Sequence, residues 1–142
     1  MGVLNRLLLL LLLFPVPALA QESLRFDSAD TRREKQALSI NENKGLIAKI
    51  DLNDDLIDEY VIRSCNGSKF CNYSIIAFKD FKAIKIGDFK AHKIVVSREK
   101  TYGVRDLIVY NQQYNDFAFE TAVWTPFRFY YHFSGNSSAD TQ

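Results

Sequence analysis

The chain has 142 residues, 47% of them hydrophobic, with 18 Lys and Arg against 17 Asp and Glu. Without its first twenty residues it would lose one charge, Arg6, and stand at 17 against 17. That balance excludes a non-specific binder of nucleic acid or of an anionic membrane, which needs a basic excess, and the length suits one domain with one core.

The first element in chain order is a leader. Leu7 to Phe14 is an unbroken apolar run, and Pro15 and Pro17 end it. Ala18-Leu-Ala20 then supplies the small-x-small pattern of a signal peptidase site. Eight helical residues rise only ~12 Å, far short of the ~30 Å hydrocarbon core, so no stable membrane anchor is expected. The reading is a signal peptide over 1–20, a single β-rich domain over 21–135 and a polar tail over 136–142, delivered to the periplasm or secreted.

Gln21 to Asp27 reads as a loose start. Asp27-Ser28 or Asp30 can cap a short helix running to about Leu38. Asn41 to Gly45 reads as a turn, and Leu46 to Ile50 as a strand leading into an acidic loop that Tyr60 to Ile62 leaves. Strands follow from Tyr73 to Phe78, Phe81 to Ile86, Phe89 to Ser97 and Val104 to Tyr110. Lys79-Asp80, Gly87-Asp88 and Arg98 to Gly103 read as the turns between them. Asn111 to Asn115 reads as a polar loop. Phe117 to Trp124 and Phe127 to Phe133 form a last hairpin about Thr125-Pro126, with Phe127, Phe129 and Tyr131 on one face of its second arm. The fold class is mainly β: an antiparallel meander of seven to eight short strands with a short N-terminal helix. Between 79 and 100 the lysines outnumber the acids, either as water-facing strand positions or as a basic face for an acidic partner.

The only cysteines are Cys65 and Cys71. In an oxidising compartment so close a pair forms a disulfide. Asn66-Gly67 supplies the turn between them, so the bond staples a hairpin. The spacing fits neither a Cys-x-x-Cys redox centre nor zinc, and His92 and His132 stand alone.

Asp51, Asn53, Asp55 and Glu59 fall on the first, third, fifth and ninth places of a calcium loop. Leu56 stands at the sixth place, where such a loop wants glycine. Ile62 stands at the twelfth, where an EF-hand needs glutamate, so an EF-hand is excluded. The string Asp51-Leu-Asn-Asp-Asp-Leu-Ile-Asp-Glu-Tyr-Val-Ile62 resembles the acidic strand–loop–strand turn of bacterial exported proteins of the FG-GAP/VCBS type, Asp-x-Asn-x-Asp-Gly-x-x-Asp/Glu. Gly103-Val-Arg-Asp106 before an apolar strand is similar to a second segment of small periplasmic proteins with that turn. The resemblance is specific over 51–62 and loose over 46–110. It implies a β-rich module and Ca2+ at Asp51, Asn53, Asp55 and Glu59. The same side chains can instead close the turn on its own backbone amides.

Nucleophile motifs, His-Glu-x-x-His and phosphate-cradling glycine loops are absent from the sequence. The expectation is therefore a non-enzymatic exported binding protein. Its partner would be a periplasmic protein such as a cell-wall hydrolase, held by Lys69 and Phe70 of the stapled hairpin, as an inhibitor or immunity protein holds its target. The alternative is a structural or accessory domain of the envelope, calcium-stabilised and without a partner enzyme. Three Asn-x-Ser acceptors, at Asn66, Asn72 and Asn136, read as chance in a bacterial chain.

Overall fold

A computed structural model describes residues 21–112 and 118–135. The leader, the polar tail and most of the 111–115 loop fall outside these residues. Nine strands form two antiparallel sheets, with one helix packed outside. They are β1 (Gln21–Ser23), β2 (Leu46–Ile50), β3 (Glu59–Ser64), β4 (Cys71–Lys79), β5 (Lys82–Ala91), β6 (Lys93–Thr101), β7 (Val104–Tyr110), β8 (Phe119–Thr125) and β9 (Tyr130–Phe133); the helix is α1 (Arg32–Ser39). One sheet is ordered β2-β3-β4-β5 and the other β1-β6-β7-β8-β9. Among the described residues no helix is long and apolar enough to cross a membrane.

The strand sequences explain the layering. β3 and β4 carry runs without alternation, Tyr60-Val-Ile62 and Ile75-Ile-Ala-Phe78, as strands covered on both faces do. Val61, Ile75 and Ala77 turn inward to a core shared with Ile94, Val96, Leu107, Val109 and Trp124 of the other sheet. Tyr60, Ile62 and Ile76 turn outward and meet Ala37 and Leu38 of α1. Each fully buried Ile or Val contributes about 1.5–3 kcal/mol of transfer free energy.

α1 begins where Thr31 accepts a hydrogen bond from the Glu34 amide at 3.1 Å. Glu34 reaches back to accept from the Thr31 amide at 3.2 Å and the Asp30 amide at 2.8 Å. This capping box satisfies amides that the helix itself cannot. The Asp30 amide leads the causes that hold the Glu34 carboxyl below its ordinary value.

Several boundaries differ from the sequence reading. Gln21–Ser23 is not loose but pairs, as β1, with Ser97, Val96 and Val95. The helix is capped by Thr31 rather than by Asp27, Ser28 or Asp30. Gly87-Asp88 is no turn: β5 runs straight through it, with an irregularity against β4 between Ile75 and Ile76. Gly87 is there for space, since a Cβ at that position would lie 2.9 Å from the Ile75 Cγ1. The chain changes sheets at His92 instead, whose amide donates to the Tyr110 carbonyl at 2.8 Å. β6 continues to Thr101, through residues read as a charged turn. β9 starts only at Tyr130, so Phe127 and Phe129 lie in a turn and not on a strand face.

The meander also sorts the connections. The β2–β3, β4–β5, β6–β7 and β8–β9 turns gather at one end of the sandwich. The stapled hairpin and the His92 corner lie at the other end, where the Tyr73 hydroxyl donates to the His92 carbonyl at 3.3 Å.

Candidate functional site: a cleft beneath four turns

The acidic turn of residues 51–58 closes on itself. Asp51 Oδ1 accepts from the amides of Asn53 and Asp55, each at 3.3 Å, and Oδ2 from that of Leu56 at 2.8 Å. Asp55 Oδ1 accepts from the Ile57 amide at 2.8 Å. Leu56 adopts φ 65°, the left-handed conformation that glycine takes freely. Its side chain is thereby thrown into solvent, 95% exposed.

Glu59 opens β3 and turns inward. It is 8% exposed, and its Oε2 accepts from the Leu52 amide at 2.7 Å. Burial pushes its carboxyl up to about 7, against the pull of the Leu52 amide, and the charges of Asp55 and Asp51 add to the rise. So the structure brings Asp51, Asn53, Asp55 and Glu59 into one neighbourhood. Their side chains accept hydrogen bonds from backbone amides, and among the described residues no three His, Cys, Asp or Glu side chains form a metal-ligating group.

Beside this turn a cleft of about 300 Å3 opens between the sheets. Phe78, Trp124 and Phe129 wall it, and Asp55, Glu59 and Lys79 rim it. The Trp124 and Phe129 rings meet edge to face at 4.8 Å between centroids. Lys79 Nζ lies 4.9 Å from the centre of the Phe129 ring, so that ring face already receives a cation. Lys100, from β6, pairs with Asp54 across the turn.

The four turns around the cleft carry bulky apolar residues on their outside. Leu56 and Ile57 come from the first, Phe81 from the second, Tyr102 from the third, and Phe127 and Phe129 from the fourth. They make up six of the eight large hydrophobic residues exposed in the described chain. Phe81, Tyr102 and Phe129 share the left-handed conformation of Leu56, with φ of 64°, 52° and 53°. A bulky residue held there costs about 1–2 kcal/mol. The fold carries that strain four times, at one end, and each time shows solvent an apolar side chain.

The other sequence candidates lie far from this end. Cys65 and Cys71 are joined as a disulfide, with 4.4 Å between their Cα atoms. Lys69 is exposed, and its carbonyl meets His92 Nδ1 at 3.3 Å. Phe70 is half-buried rather than presented, with its amide donating to Ser68 Oγ at 3.2 Å. The stapled tip is therefore mostly polar. Compared with protein-family models, with curated proteins and with solved structures, the chain finds no match.

The sequence reading missed Trp124, Phe129 and Lys79 as a wall and rim, and Phe81, Tyr102 and Phe127 as a tip. A signal existed. Turns favour Gly, Asn, Asp and Pro, yet Lys79-Asp-Phe-Lys82, Thr101-Tyr-Gly103 and Thr125-Pro-Phe127 each place an aromatic residue in one.

Proposed function

We propose that this chain is an exported, non-enzymatic binding protein that grips a partner protein with the end bearing the acidic turn. The observation that carries the reading is the gathering of exposed Leu56, Phe81, Tyr102 and Phe127 on four neighbouring turns, three of them in strained backbone. Solvent-facing apolar side chains held against local conformational preference need a use, and an apolar centre with a polar rim is the anatomy of an interface. The rim argues for a protein rather than a lipid surface. Asp54, Asp55, Asp58 and Asp80 stand among the tips with Lys79, Lys82 and Arg128, a rim of both signs that suits a protein surface better than a uniformly anionic one.

A periplasmic hydrolase held by an inhibitor or immunity protein remains the best partner class, by size and compartment. The docking surface moves from Lys69 and Phe70 to the opposite end. The disulfide supports an oxidising destination and braces the sheet from which the turns project.

The test is capture from an envelope extract with the mature, oxidised protein, beside a variant combining Phe81→Ser and Phe127→Ser. A stoichiometric protein retained by the first and lost by the second supports the reading. A protein retained equally by both, or partition onto neutral or anionic vesicles in its place, overturns it. Capture of nothing favours the accessory envelope domain.

A further inference from the structure

We infer that the cleft between the acidic turn and the Trp124–Phe129 pair is a pocket for one cationic side chain, an arginine above all, of the docked partner. The inference rests on the docking surface proposed above and gives that surface its specificity element.

The chemistry of the lining selects the occupant. A cleft of about 300 Å3 has room for one long side chain. Its wall offers two aromatic rings at right angles, Trp124 and Phe129, which suits a flat delocalised cation better than a branched aliphatic group. Its rim carries the exposed Asp55 carboxylate and the Lys79 ammonium, with Glu59 buried and held by the Leu52 amide. Three further acids, Asp51, Asp54 and Asp58, belong to the same turn, and Asp54 is paired with Lys100. Lys79 lies across the Phe129 ring, so that ring accepts a cation, and an incoming guanidinium takes the place of this exposed side chain, which swings out to solvent. An anionic ligand would face this acidic rim. A neutral aliphatic one would cover the Asp55 carboxylate as water is expelled and give it no charge-assisted partner. A guanidinium on an alkyl stem stacks on the rings, covers the apolar wall with its methylenes and puts its donors within reach of Asp55.

The cleft reports on itself, because Trp124 is the only tryptophan in the chain. The test titrates the mature oxidised protein with Nα-acetyl-argininamide and follows Trp124 emission, in chelator-treated buffer. Nα-acetyl-citrullinamide, the neutral isostere, is the control. The expected result is a saturable change with the arginine compound at least about tenfold tighter than with citrulline. Asp55→Asn and Phe129→Leu are each expected to weaken it by about threefold or more. Equal binding of the two compounds, or no saturable change, overturns the inference. So does an unchanged affinity in Asp55→Asn, a solvent-facing position whose replacement leaves the core intact. Envelope capture is scored separately. A partner captured while the probe fails removes only the cleft's assignment. Probe binding with no partner captured removes the docking surface and the partner as the cation's source.

Discussion

The Arg105 amide donates to the Leu52 carbonyl at 2.8 Å, tying the acidic turn of one sheet to the start of β7 in the other. The tie is continued on both sides. The Leu52 amide donates to Glu59, and the Tyr131 hydroxyl donates to the Arg105 carbonyl at 2.7 Å. Burial, then the charges of Glu59 and Asp106, push that hydroxyl far above its ordinary range, so it stays a donor. The turn that rims the cleft is thus positioned by β9, far from it in sequence. Tyr131→Phe removes the last link and leaves a part-buried carbonyl without this donor. A loss of about 1–2 kcal/mol is expected in urea unfolding, with amide exchange at Leu52 and Arg105 accelerated more than in β3 or the rest of β7.

Glu59 sets a pH dependence. Its carboxyl titrates at about 7 in the folded chain against an ordinary 4.5. The folded state therefore holds a proton that the unfolded state has released. The associated stability is complete below 4.5 and is lost as pH rises through 7. The gap corresponds to ~3 kcal/mol. Unfolding at pH 5 and pH 8 should show this decline, and Glu59→Gln should flatten it. A wild-type stability that rises over that interval through this residue would reject the assignment.

The strained tips should trade stability against binding. Leu56→Gly and Phe81→Gly each put glycine where the backbone is already left-handed. Each should raise stability by roughly 1 kcal/mol while weakening partner capture. Melting curves and a binding assay on the same two variants check both halves.

Gly87 should tolerate no side chain. Its missing Cβ is occupied by Ile75 at 2.9 Å and by Phe89 at 3.1 Å. Gly87→Ala should cost about 1–3 kcal/mol by overpacking. Paired with Ile75→Ala it should cost less than the two single changes together, since the second makes the room that the first needs. Strict additivity in a double-mutant cycle would show that the two positions do not touch.

Reducing the disulfide should leave the fold weakened but present. Opening so short a loop costs about 2 kcal/mol in the chain-entropy model. Denaturant unfolding with and without reductant measures it, and the unreduced native protein should show no reactive thiol.

Much of the architecture was legible in local sequence. The stapled hairpin follows from two cysteines around Asn66-Gly67, and the short helix from a run of helix formers, although its cap is Thr31 and not one of the acids or the serine before it. β3 and β4 follow from apolar runs that β-branched residues dominate. What misled was punctuation read without its surroundings. Gly87-Asp88 has the composition of a turn, but the glycine answers to Ile75 on the neighbouring strand. Phe127 and Phe129 alternate as a strand would, but the chain is still turning there.

Local propensity and composition alone determined that this is a β-rich chain of nearly balanced charge with one staple and one acidic turn, because those properties depend on residues near each other in the chain. Only the tertiary structure decided that four turns share one end, that Glu59 is buried, and that Trp124 faces Asp55 across a cleft. Those facts arise when two sheets stack, and stacking joins residues up to about seventy positions apart, over which no local pattern carries information.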